Sequence, residues 1–177
     1  KYEEAKKILK NFNKEEEIYY WYRIKKEFEI SNEKQAKEKS LSLLTLKIKN
    51  LKFKSPKFYF DLGNIYKGFE EYEKSIENYN LALNGIRQDS DSYADILYRR
   101  GGSYERLKKY KNADEDLLLS LELNQDQPYV LNYLAYSWLE RKIKIKKSME
   151  MLLRAYKQKK DDPYIIDSVG WAYYLTD

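Results

Sequence analysis

The sequence predicts an all-α protein, a superhelix (solenoid) of antiparallel helix pairs with about ten helices stacked along one axis. Three observations carry this reading. The chain aligns on itself, with a small residue anchoring each unit at Gly63, Gly101, Ala135 and Gly170, at intervals of 38, 34 and 35 residues. A period of that size marks stacked supersecondary units. Proline (3) and glycine (6) are too scarce for a fold built on many tight turns. Hydrophobic residues make up 42% and charged residues 36%, the balance of helices with one buried and one solvated face.

In chain order, the first 55 residues are the least regular. Tyr2-Glu3-Glu4-Ala5 followed by Leu9 reads as the second helix of a pair whose first is missing. Residues 18–30 and 34–50 read as a further helical pair that lacks the small anchor. Unit one opens with Leu62-Gly63 and Tyr66, then Ser75, Tyr79 and Ala82; unit two with Arg100-Gly101 and Tyr104, then Ala113, Leu117 and Ser120. Unit three has Leu134-Ala135 and Trp138, then Ser148, Leu152 and Ala155; a fourth begins at Val169-Gly170 and Tyr173. The division is therefore 1–55, degenerate repeats, and 56–177, three repeats plus the first helix of a fourth. Both ends cut a unit in half, so the reading is one continuous solenoid, a fragment of a longer chain. Helix 163–176 is expected to expose Val169 and Tyr173 unless it docks onto something.

Punctuation agrees. Ser55-Pro56 and Asp162-Pro163 place a capping side chain before a proline at the first helical position; Gln127-Pro128 repeats the proline with a poorer cap. Turns within pairs are expected at 67–70 and 107–109. The distance from anchor to second small residue is 12, 12 and 13, and the extra residue is expected in the turn at 141–144. The four extra residues between units one and two are expected near 88–92. Gly63 and Ser75 face each other where two helices cross, since only small side chains allow a close approach. One such hairpin cannot bury its own apolar face, and stacking buries it.

Small, small, aromatic and small residues at these offsets in a 34-residue period resemble the tetratricopeptide repeat, over about residues 56–177. Residues 129–140 and 162–174 are similar to segments of bacterial, in particular alphaproteobacterial, proteins of this family. That resemblance leaves the cytoplasm, or the periplasm and membrane surface after removal of a leader, as compartments. The family implies that first helices line a concave groove. Its groove positions fall on Lys57, Phe60, Asn64 and Lys67; on Asp95, Tyr98, Gly102 and Glu105; on Tyr129, Asn132, Tyr136 and Leu139; and on Tyr164, Asp167, Trp171 and Tyr174. Aromatics concentrate towards the C-terminal end, and such rings dominate binding hot spots. The candidate partner-binding set is Asn64, Tyr98, Tyr129, Asn132, Tyr136, Tyr164, Asp167, Trp171 and Tyr174. For any one ring the alternative is packing on a neighbouring first helix. Family members that clamp the C-terminal carboxylate of chaperone tails use Lys, Asn and Arg at set positions. Here Asn64 matches, but Phe60, Arg99, Tyr129 and Tyr133 occupy the other four, which argues against that ligand.

The functional expectation is a non-catalytic scaffold that takes a peptide or helix of a partner protein. The alternative is a permanent architectural subunit bound through convex or terminal surfaces. With no Cys and no His, disulfides, Cys-His zinc sites and imidazole triads are excluded. No cofactor, metal or small-molecule substrate is expected. Arg100-Gly101-Gly102-Ser103 falls inside a helix rather than in a phosphate loop, and Asp114-Glu115-Asp116 reads as an exposed helix face. No run of about 18 apolar residues would span a membrane. The Lys-rich stretches at 47–57 and 142–147 are the footing for nucleic acid, but 34 basic against 29 acidic residues, net +5, suit solvated faces.

Overall fold

Proline lacks an N–H and holds φ near −65°, so it favours the first position of a helix. Pro56, Pro128 and Pro163 each open one. The structure, a computed structural model, describes residues 17–30, 34–50 and 55–176. The expected helix at Tyr2–Leu9 lies outside them. Among the described residues nine helices follow one another: α1 (Glu17–Ile30), α2 (Lys34–Asn50), α3 (Pro56–Gly68), α4 (Tyr72–Leu83), α5 (Asp91–Arg106), α6 (Tyr110–Leu123), α7 (Pro128–Glu140), α8 (Ile145–Gln158) and α9 (Pro163–Thr176). They pack as sequential antiparallel pairs, α1–α2, α3–α4, α5–α6 and α7–α8, with α9 against both α7 and α8.

The caps explain the boundaries. Ser55 accepts a hydrogen bond from the Lys57 N–H, and Asp162 Oδ1 accepts from the N–H groups of Tyr164 and Ile165. Gln127 does not cap; its side-chain amide donates to the Ser120 and Asn124 carbonyls and fastens the preceding turn. The turns within α3–α4, α5–α6 and α7–α8 repeat one device. Glu70, Lys108 and Lys142, all seven residues after an anchor, adopt left-handed φ of 62°, 57° and 56°. The N–H groups of Glu71, Lys109 and Ile143 reach back to the carbonyls of Tyr66, Tyr104 and Trp138, the Schellman closure of a helix C-terminus. The extra residue of unit three sits in the expected turn, where Lys144 takes a second left-handed conformation, φ 48°. Between units one and two the loop runs 84–90 with Ser90 as N-cap, so the insertion lies slightly earlier than 88–92.

The crossings show why the anchors are small. The Ser75 hydroxyl donates to the Gly63 carbonyl at 2.9 Å, and the buried Tyr79 ring lies over Gly63. A Cβ on Gly63 would fall 2.5 Å from Tyr79 Cε1, whereas one on Gly170 would meet nothing within 4 Å. We therefore predict opposite signs for one substitution. Gly63→Ala loses about 1–3 kcal/mol by overpacking. Gly170→Ala is neutral or gains up to about 1 kcal/mol, from the helix propensity of Ala over Gly. Urea unfolding of both variants checks this.

Apolar burial falls into three clusters along the stack. Trp21, Ile24, Leu41 and Leu44 join α1 and α2 to Phe58, Leu62 and Tyr66 of α3. Tyr79, Ala82, Ile96 and Leu97 form the second, between α4 and α5. The largest centres on Trp138 between α7, α8 and α9. Polar ties link the pairs. Asp61, 3% exposed, accepts from Trp21 Nε1 at 3.3 Å and from Lys25 Nζ at 2.6 Å, fastening α1 to α3. The acidic run in α6 is not simply an exposed face. Asp116 is buried in a bidentate pair with Arg100 (2.7 and 2.7 Å), and Asp114 pairs with Arg141 (2.6 and 3.2 Å). Only Glu115 of the three is exposed. Adjacent first helices, α3–α5, α5–α7 and α7–α9, touch one another, while no two of α4, α6 and α8 do. The stack therefore curves with first helices on its inner side. No helix among the described residues is long and apolar enough to cross a membrane.

Candidate functional site

The inner face is built from one side of α1, α3, α5, α7 and α9, and it changes character along the stack. At the N-terminal end a cleft of about 330 Å³ is lined by Lys25, Phe28 and Lys37, with Asp61, Asn64 and Phe69 opposite. Asn64 is on this wall, and its Oδ1 accepts from the Tyr79 hydroxyl at 2.8 Å, which fixes the orientation of its amide.

The middle is polar and crowded. Lys67 Nζ donates to the Arg99 carbonyl at 3.3 Å, and a Cβ on Gly102 would lie 2.5 Å from that ammonium. Gly102 is thus the space that Lys67 occupies. The Tyr133 hydroxyl donates to Glu105 Oε2 at 3.0 Å, and Tyr98 packs edge-on against the Tyr133 ring, centroids 6.1 Å apart. Tyr98 is half-buried between neighbouring first helices, and burial raises its hydroxyl pKa. Burial likewise raises the Tyr133 hydroxyl pKa, reinforced by Glu105. Tyr133 is central here although sequence reasoning did not select it. The available signal was the glycine at position 102, a groove position without a side chain.

Burial, together with Arg99 and Arg106, lowers the Lys67 pKa to about 8 against an opposing pull from Glu105. The unfolded lysine keeps its ordinary value near 10.4. Between these values the unfolded chain binds more protons, so stability rises with pH from about 8 upwards. Lys67→Met is expected to gain about 1–2 kcal/mol at pH 7 by removing a desolvated charge, and to flatten the rise between pH 7 and 9.5. Guanidinium unfolding across that range checks both effects.

The C-terminal part is open and aromatic. Tyr136 and Glu140 of α7 meet Asp167, Gly170, Trp171 and Tyr174 of α9 around a cleft of about 730 Å³. Trp171 and Tyr174 stack, centroids 5.3 Å apart at 17°. Tyr136 is 39% exposed and Tyr174 72%. Partial burial, then the Glu140 and Asp167 carboxylates, raise the Tyr136 hydroxyl pKa. Four of the nine candidate residues, Tyr136, Asp167, Trp171 and Tyr174, are brought together here. Tyr129 and Tyr164 are exposed, at 48% and 78%, and Tyr129 donates to Asp162 Oδ2. Neither lines the cleft. Asn132 is partly buried, and its Oδ1 has no hydrogen-bond partner among the described residues. The groove position at Leu139 is a correction: at 1% exposure it belongs to the Trp138 core, because α7 is packed from both flanks there.

Comparisons bear on this geometry. The tetratricopeptide repeat model matches residues 56–84 and 94–127. No curated protein matches the sequence. Among solved structures, BtubC (BKLC) from P. vanneervenii is similar with a TM-score of 0.77 and 18% identity over 98% of this chain and 81% of that one. YrrB, described as a tetratricopeptide protein with an unusual peptide-binding site, has a TM-score of 0.68 and 17% identity over 97% and 83%. The APC/C hetero-tetramer Cut9–Hcn1 gives 0.74 and 18% over 88% of this chain; the match spans 30% of that chain's length. At such identities the likeness concerns the fold. The tetratricopeptide repeat model thus accounts for residues 56–84 and 94–127, and the described stack shares the all-α superhelical fold of these solved structures.

Proposed function

We propose that the concave face holds a peptide or helical segment of a partner protein, without catalysis. One observation carries the reading: Tyr136 and Tyr174, both exposed, and Trp171, half-buried against the α7–α9 core, converge on an open cleft of the inner face. Rings of this kind give large contact area with few rotors to freeze. The unusual peptide-binding site of YrrB supports the use of such a superhelix for this purpose. A carboxylate clamp is a poor match, because Phe60, Arg99, Tyr129 and Tyr133 replace its other residues.

The test is selection of a random displayed 12-residue peptide library on the chain, followed by titration of the enriched peptides. Tyr136→Ser with Tyr174→Ser is expected to weaken them at least tenfold, the loss of about 1.4 kcal/mol or more from two anchor rings. Equal binding by parent and variant of unchanged helicity would remove the groove reading. A second reading, permanent assembly through the terminal helix α9, is favoured by the exposure of Ile166 and Tyr173, at 47% and 50%. In that case Ile166→Glu, and not the ring substitutions, abolishes association.

A further inference from the structure

We propose that the cleft between α7 and α9 is an arginine pocket, taking one arginine side chain of the bound segment between the Trp171–Tyr174 stack and the Glu140 and Asp167 carboxylates. This rests on the groove reading above and adds the partner's chemistry to it. The lining supplies the argument: three aromatic rings, two carboxylates, one glycine and no basic residue. That is a local excess of negative charge in a chain of net charge +5. Neither carboxylate has a basic partner within salt-bridge distance among the described residues, although Asp61, Asp114 and Asp116 elsewhere are each paired with one.

The rings point the same way. Tyr66, Tyr98, Tyr110 and Trp138 each have a Lys or Arg cation of this chain over the ring. Among the described residues no cation sits over Tyr136, Trp171 or Tyr174. Aromatic faces beside carboxylates attract a cation, and the attraction grows as water is displaced. An apolar side chain would instead strip water from two carboxylates that have no cation to compensate them. Between the two basic side chains the geometry favours arginine. A nearly parallel stack offers a flat ring face, which a planar guanidinium covers while its fork reaches carboxylates on two different helices; an ammonium is a compact, strongly hydrated point charge. Gly170 contributes a stretch of wall without a side chain, with nothing within 4 Å of where a Cβ would be.

The experiment uses four acetylated, amidated nonapeptides of Ala, Ser and Tyr that differ only in the central residue: Arg, citrulline, Lys or Glu. Each is titrated into 15N-labelled chain at low salt, with the Trp171 indole N–H and the inner-face amides as readouts. The arginine peptide is expected to move the Trp171 signal and to bind at least tenfold tighter than the citrulline peptide, which keeps the shape and loses the charge. That preference is expected to vanish in Glu140→Gln/Asp167→Asn, both exposed positions, with helicity unchanged. Citrulline, Lys or Glu binding as tightly as Arg, with inner-face shifts retained, overturns the arginine assignment and leaves the groove reading standing. An arginine preference that survives in the double variant places the cation elsewhere and overturns the pocket. If no peptide shifts any inner-face signal, the groove reading fails and the pocket with it.

Discussion

Trp138→Ala is expected to lower the free energy of unfolding by about 3–5 kcal/mol, the range for deleting a large buried ring. The indole is fully buried and lies in the cluster that joins α7, α8 and α9. It also fills the place beside the helix crossing that Tyr66 fills in unit one. Its loss leaves a void that the neighbours Leu134, Leu152 and Ala155, held in helices on both sides, cannot close. Lys144 Nζ lies 4.1 Å from the ring centroid and Lys147 Nζ at 5.7 Å, so two cations lose their aromatic face as well. Trp138→Phe is expected to cost less than half as much, because the Trp138 Nε1 hydrogen has no partner among the described residues and its removal forfeits no bond. Urea unfolding at pH 7 separates the two. Equal losses would mean that the indole nitrogen is satisfied in solution.

Arg100→Ala is expected to cost a similar 3–5 kcal/mol through a different cause, an unpaired buried charge. Asp116 is buried and held by two 2.7 Å bonds from the guanidinium. Burial raises the Asp116 pKa, and the Arg100 fork pulls it back part of the way. Without Arg100 the folded-state pKa rises further above the unfolded value near 3.9. A carboxyl with a raised folded pKa stabilises the fold only where it is protonated, so the penalty is complete at neutral pH. It fades as pH falls through the folded pKa. The variant should therefore lose less stability relative to the parent at pH 4.5 than at pH 7. Arg100→Met/Asp116→Leu, which removes both charges, is expected to lose far less than either single change. A double-mutant cycle read by guanidinium unfolding gives the coupling directly.

The register of the stack was legible because its cause is local. A glycine or alanine at a crossing, a serine twelve residues on and a proline after a capping side chain are short-range devices, and they predicted helix order, the turn at 107–109 and the insertion at 141–144. The ties between pairs were not legible. Trp21 and Lys25 meet Asp61 across 36 to 40 residues, and Arg141 meets Asp114 across 27. Such pairs leave no periodic mark, so Asp114 and Asp116 resembled solvated residues. The left-handed Glu70, Lys108 and Lys142 escaped for a related reason: the Schellman closure recurs in units one to three without the glycine that usually announces it.

The groove was legible in outline only. Counting from the anchors selected the inner side of the first helices, and four of the nine named residues meet in one cleft. Counting could not show that the Tyr79 hydroxyl occupies Asn64, that Tyr98 leans on Tyr133, or that Leu139 turns into the core. Each depends on which neighbour is larger, a property of packing between units.

The central claim, that the concave face is the binding surface, is tested most directly by mapping a library-selected peptide onto the labelled chain by NMR. The account predicts shifts concentrated on inward-facing residues of α5, α7 and α9, with Tyr136, Trp171 and Tyr174 moving most. Shifts confined to α4, α6 and α8, the outer side of the superhelix, would contradict it.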